Sequence, residues 1–124
     1  MNEPRSVSTA MDLAHEVRTA INHILGYATI LIDASEEQGM PELVAFFEEI
    51  YAGGIDLLGR TQAHASSDDF IDLRALQAEL SPLAEHILSE IEDLALPASH
   101  REMLQDAEVV ANACRRLLSL VQSA

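Results

Sequence analysis

The chain carries an internal repeat, and that repeat limits what it can fold into. Shifted by 63 positions, Leu13, Glu16, His23, Ile24, Leu25 and Leu31 fall on Leu76, Glu79, His86, Ile87, Leu88 and Leu94. Shifted by 60, Glu42, Glu48, Leu57, Leu58 and Gln62 fall on Glu102, Glu108, Leu117, Leu118 and Gln122, with Leu43 on Met103 and Ile50 on Val110. The three-residue difference is a shorter loop at Leu96-Pro97-Ala98-Ser99. Two shifts that each align one helical segment, separated by a loop deletion, describe a duplicated hairpin. The first copy spans residues 9–64 and the second 69–123, within one domain covering residues 1–124.

The apolar period is helical. Ala14, Val17, Ile21, Ile24, Ala28 and Leu31 recur at alternating steps of three and four, which places them along one helix face. His15 sits one position past that stripe, so its ring is expected to be packed at its base and wet at its tip. Ser8 or Thr9 is suited to cap this helix, and Asp12, three residues after Thr9, completes a capping-box pattern. Residues 1–8 are polar and expected to fray, and the helix is expected to reach about Asp33.

Gly39 marks a turn and Pro41 suits the first position of a second helix. Its apolar face, Leu43, Phe46, Phe47, Ile50, Ile55, Leu57 and Leu58, runs to about Gln62, with a polar connector at Ala63 to Asp68. Gly53-Gly54 in mid-helix costs roughly 1 kcal/mol per residue relative to Ala, so a close backbone approach is expected there. Pro82 falls inside the third helix and is expected to kink it. Ser99-His100-Arg101-Glu102 reads as a capping box opening the fourth.

Composition narrows the class. In 124 residues there is room for one modest core, and 48% hydrophobic residues with no Trp suit a helical bundle cored by Leu, Ile and Ala. Twenty-one acidic residues stand against seven basic ones, all Arg, for a net charge of -14. That balance argues against nucleic acid, whose phosphates need clustered cations, and against an anionic membrane surface. No apolar run approaches the ~20 residues needed to span a bilayer, and Met1-Asn2-Glu3-Pro4 lacks the basic and apolar regions of a signal peptide. A cytoplasmic location is expected. The lone Cys114 allows no intrachain disulfide; it matches Gly54 in the repeat, so a buried, inert thiol is expected there.

The segment His15-Glu16-Val17-Arg18-Thr19-Ala20, followed by an apolar run ending at Gly26-Tyr27, resembles the phosphoacceptor box of the dimerisation and histidine-phosphoacceptor domain of bacterial histidine kinases. Ala20 stands where that family usually has proline. Ala52-Gly53-Gly54-Ile55-Asp56-Leu57-Leu58 resembles the segment of the family's second helix. The family pairs two identical hairpins from two chains, so the resemblance and the repeat together imply an all-α, antiparallel four-helix bundle. Both hairpins lie in one chain, a monomeric pseudo-dimer. The counterpart of His15 is Ala78, Glu79 is retained, and Arg18-Thr19 becomes Ser81-Pro82. One hairpin would hold the chemistry and the other would be a packing partner that has lost it.

The resemblance implies a phosphorelay module, in which the His15 imidazole accepts a phosphoryl group from the aspartate of a response-regulator receiver domain and returns it. It implies Glu16 as the acid/base partner of His15, Arg18 and Asn22 as phosphate or partner contacts, and Thr19 as a group able to orient water for dephosphorylating the receiver. Mg²⁺ would come with the receiver; no cofactor or metal is expected on this chain, which has no His-Glu-x-x-His motif or Cys pair. Nothing after Ala63 provides the Asn-rich and Gly-rich boxes of an ATP-binding domain, so autonomous ATP-dependent kinase activity is not expected. Two other functions fit the same residues: a receiver phosphatase relying on Thr19, and a non-catalytic docking or dimerisation bundle of a larger signalling protein. His23, His64, His86 and His100 are expected at the surface, and Phe46 and Phe47 in the core.

Overall fold

In the computed structural model, which describes residues 5–66, 73–94, 96 and 98–122, the described residues are helical with no strand. Four helices follow one another: α1 (Arg5–Glu37), α2 (Pro41–Ser66), α3 (Leu73–Glu92) and α4 (Arg101–Gln122), the last preceded by a 3₁₀ turn at Ala98–His100. α1 has 33 residues, about 50 Å at 1.5 Å per residue.

The α1–α2 turn shows how local chemistry sets the path. The amides of Gln38, Gly39 and Met40 donate to the carbonyls of Ala34, Glu36 and Ser35 at 3.0–3.1 Å, which occupies carbonyls that the helix end leaves open. Gly39 sits at φ 68, a left-handed conformation that costs a glycine little. Pro41 then supplies the first residue of α2, where its missing N–H is not needed.

The helices pack in a ring of neighbours. α1 contacts α2 and α4, α3 contacts α4 and α2, and no diagonal pair touches among the described residues. Neighbours run antiparallel: Leu25 of α1 faces Gly54 of α2, Ile87 of α3 faces Gly53 of α2, and Glu16 near the start of α1 meets Arg116 near the end of α4. The core stripe of α1 (Val17, Ile21, Ile24, Ala28, Leu31) is fully buried, as the period requires. It meets Phe47, Ile50 and Leu57 of α2, Leu80, Ala84 and Ile87 of α3, and Val110, Cys114 and Leu117 of α4 in one continuous cluster. Burial of this kind, at about 25 cal/mol per Å² of apolar surface, is the dominant favourable term in the fold.

Positions matched by the repeat have matching burial. Val17 and Leu80, Ile21 and Ala84, and Ile24 and Ile87 are buried pairs on α1 and α3. Ile50 and Val110, Leu57 and Leu117, and Thr61 and Val121 are buried pairs on α2 and α4. Thr61 is tolerated inside because its hydroxyl donates to the Leu57 carbonyl at 2.8 Å.

Several expectations are corrected. α1 begins at Arg5, so Ser8 and Thr9 lie inside the helix rather than at its cap, and it runs on to Glu37 instead of ending near Asp33. α2 continues through Gln62 to Ser66, taking in part of the expected connector; residues 67–72 lie outside the described residues. Ile55, expected in the core, is 47% exposed. It projects about 100° from Gly54, on the side away from the bundle axis. α3 is continuous through Pro82; the proline sits on the exposed face. The capping pattern at Ser99 falls in a 3₁₀ turn that leads directly into α4. His100 is half-buried rather than fully solvated.

The tight approach expected at the glycine pair is present. A β-carbon on Gly54 would lie 2.7 Å from Leu25 Cδ2, and one on Gly53 would lie 3.1 Å from Ile87 Cδ1. Gly53 therefore admits α3 and Gly54 admits α1, one on each flank of α2.

Candidate functional site

The site is built on the outward ridge of α1. With 3.6 residues per turn, His15 projects about 160° from the core-facing Val17, almost straight into solvent. It is exposed, and its ring has no hydrogen-bond or ion-pair partner among the described residues. An imidazole in this setting is accessible to a macromolecule.

Thr19 lies one turn further along the same ridge and is also exposed. Its hydroxyl donates to the His15 carbonyl at 2.9 Å. This back-bond fixes the side chain against the helix and commits its proton, so the oxygen lone pairs point outward as acceptors. Asn22 continues the ridge, and Arg18 flanks it on the side toward α2. Neither has a hydrogen-bond or ion-pair partner among the described residues, which leaves a guanidinium and an amide free for a partner. Gly26, next along the ridge, has nothing within 4 Å of the place a β-carbon would take.

Glu16 is turned away from His15. It projects toward α4, where its Oε1 accepts a hydrogen bond from Arg116 Nη2 at 2.7 Å. No His15–Glu16 hydrogen bond is present, since adjacent positions on a helix diverge by 100°. The same device recurs across the bundle: Glu79, the repeat counterpart of Glu16, accepts from Arg60 of α2 at 3.2 Å, and Arg60 is held in turn by Asp56 at 3.0 Å. Each hairpin's first helix is thus tied to the other hairpin's second helix near the level of position 15.

The electrostatic setting is unusual for this chain. Despite a net charge of -14, the sequence from Val17 to Ile32 contains no Asp or Glu. The carboxylate that precedes it, Glu16, is paired with Arg116. The α1 ridge is therefore a neutral to basic strip on an acidic molecule. Beside it, α2 exposes Tyr51 (38%) and Ile55 (47%), two apolar side chains one turn apart. They lie on the α1-facing flank, because Gly54 between them faces α1 while Gly53 faces α3.

Sequence reasoning missed Arg116 and the exposed pair on α2. Arg116 is 100 positions from Glu16, and nothing local reports that contact. Ile55 was legible in principle, because its counterpart under the repeat is Arg115, a residue that belongs outside. His23 and His86 are exposed, and the His64 side chain lies outside those described. Cys114 is fully buried, and burial pushes its thiol up to about 12 against a small opposing effect of Arg115; it is inert at neutral pH. Phe47 is fully buried and meets the half-buried Phe46 edge to face at 5.1 Å. No group of three or more His, Cys, Asp or Glu among the described residues is placed to hold a metal, and no described helix is long and apolar enough to cross a membrane.

Compared with models of protein families, with curated proteins and with solved structures, the chain matches none at a significant level.

Proposed function

We propose that this chain is a phosphotransfer module of two-component signalling, a monomeric pseudo-dimer in which His15 exchanges a phosphoryl group with the aspartate of a receiver domain. The observation that carries the reading is the unpartnered His15 on an acid-free ridge of a strongly acidic molecule. A receiver holds its Mg²⁺ with carboxylates, and such a surface is repelled by most of this chain but not by the acid-free stretch of α1 from Val17 to Ile32. The matched burial of the two hairpins supports the pseudo-dimer, since one chain then completes the core that the resembled domains complete by pairing.

In the transfer, the lone pair of one imidazole nitrogen attacks phosphorus in line. The N–P bond forms as the bond from phosphorus to the receiver carboxylate oxygen breaks, and the carboxylate leaves. The other nitrogen becomes more acidic and gives up its proton to a nearby acceptor. Glu16 fills that role once its side chain swings from Arg116 toward the ring. Positioning is the main demand of such a reaction, and an exposed histidine on a rigid helix meets it. Arg18 and Asn22 contact the phosphoryl group or the receiver.

A phosphatase reading is favoured by one observation, the Thr19 hydroxyl whose proton is committed and whose lone pairs face solvent. The two are separated by following phosphorylated receiver in the presence of the wild-type chain, His15→Ala and Thr19→Ala. Phosphotransfer predicts that His15→Ala abolishes loss of receiver phosphate and Thr19→Ala keeps most of it. The reverse pattern assigns the activity to Thr19, and binding without any loss of phosphate leaves a docking bundle.

A further inference from the structure

The two hairpins share a core register but not an outer surface. On the first hairpin, Thr29, Tyr51 and Ile55 face solvent. The repeat places Glu92, Ala111 and Arg115 at those positions on the second. Ala107 and Ala111 stand where the first hairpin has Phe47 and Tyr51, and the lost volume appears as an open cavity of about 260 Å³ between α3 and α4. Its walls include Ile91, Leu94 and Leu104.

Arg115 lies across this cavity. Its Nη2 donates to Glu92 Oε2 on α3 at 3.1 Å. Its Nη1 donates to Asn112 Oδ1 at 2.8 Å and to Glu108 Oε2 at 3.2 Å on α4. The ridge above is inverted as well: Arg18 and Asn22 of α1 correspond to Ser81 and Glu85 of α3, and Tyr27 to Glu90.

We infer that Arg115, bridging Glu92 and Glu108, is a strap that closes the second hairpin to the partner that docks on the first, so that one chain takes one receiver domain. This rests on the phosphotransfer reading above. A partner that lays an apolar ridge along α1 and α2 meets Tyr51 and Ile55, and Glu48, the counterpart of Glu108, stands there with no ion pair among the described residues to break. The same ridge laid along α3 and α4 meets the guanidinium. To seat itself, it must strip Arg115 from two carboxylates and cover them unpaired, a desolvation cost that discriminates strongly between two otherwise similar faces. Glu85 and Glu90 add repulsion toward an acidic receiver surface, where α1 offers none. The strap acts through specificity rather than stability, because its members are exposed and surface pairs of this kind contribute little to folding.

The test is the stoichiometry of the full chain with receiver domains of the same genome, purified one by one, loaded with Mg²⁺ and beryllofluoride, and read by native mass spectrometry. The wild-type chain is expected to form a 1:1 complex with its cognate receiver, even with the receiver in tenfold excess. The triple variant Arg115→Ile, Glu92→Thr, Glu85→Asn carries the first hairpin's residues at those positions. It is expected to add a second, weaker receiver while His15 is still phosphorylated at the wild-type rate. A 2:1 complex on the wild-type chain overturns the strap, and so does a folded triple variant that stays at 1:1. Failure to bind any receiver overturns the phosphotransfer reading itself, and the strap falls with it.

Discussion

Two glycines on neighbouring helices show how much the surroundings of a residue decide. Gly26 is exposed in mid-helix with open space around its α-carbon, and Gly54 is buried with Leu25 and Ile24 pressed against it. Gly26→Ala is expected to raise stability by about 1 kcal/mol, the ordinary helix-propensity gain. Gly54→Ala earns the same propensity but drives a methyl group to 2.7 Å from Leu25 Cδ2. Overpacking of that kind costs about 1–3 kcal/mol, so a net loss of about 1 kcal/mol is expected. Urea unfolding of the two variants checks the opposite signs. A Gly26→Ala protein that is more stable yet binds the proposed receiver partner less well would further show that the glycine is kept for an approaching partner. The residues of the site divide in a similar way. His15, Arg18, Thr19 and Asn22 are local features of one helix: the period placed His15 and Thr19 off the core stripe, and the resemblance pointed to Arg18 and Asn22. The direction taken by Glu16 depends on Arg116, a residue brought in by tertiary packing.

At the scale of elements, the periodic stripe of α1 and the repeat told most of what the packing shows, while helix ends told least. Ser8 and Thr9 are good caps in isolation, yet α1 begins before them because helix continues at little cost wherever neighbouring turns are already formed. Pro82 marks a break in a lone helix, but α3 keeps its course with the proline outward and the core residues Leu80 and Ala84 buried on either side. The end of α1 and the start of α4 enclose a cleft of about 310 Å³ lined in part by His100, Arg101, Glu102 and Asp106. There, partial burial, with help from the charge of Glu102, raises the Asp106 carboxyl above its ordinary value. The sign of the linkage follows. Ionised Asp106 destabilises the fold at neutral pH, that cost declines as pH falls through the raised value, and it is gone below the unfolded value near 4. Asp106→Asn is therefore expected to raise the melting temperature at pH 7 and to lose its advantage near pH 3. A variant that is less stable than wild type at pH 7 would contradict this account.

For the whole molecule, charge acts across the entire bundle. Twenty-one carboxylates on 124 residues repel one another, and only seven arginines oppose them. Raising NaCl from about 10 to 150 mM shortens the screening length from roughly 30 to 8 Å, so the melting temperature is expected to rise. A fall would mean that the exposed ion pairs outweigh the repulsion. The four helices share one core, and both interfaces between hairpins, α1 with α4 and α2 with α3, are part of it. The apolar period revealed the shared core because burial follows it along each helix. It did not reveal the asymmetry of the outer faces, since exposed positions are free to differ and their meaning depends on which helix lies beside them.

On the proposed function, this bundle has one phosphoacceptor, His15. The most direct measurement is to mix the chain with ³²P-phosphorylated receiver domains and Mg²⁺, then count and locate the acid-labile phosphate on it. At most one phosphate per chain is expected, on the His15 imidazole, and none on His15→Ala. Label that persists in His15→Ala, or that maps to another residue, would contradict it.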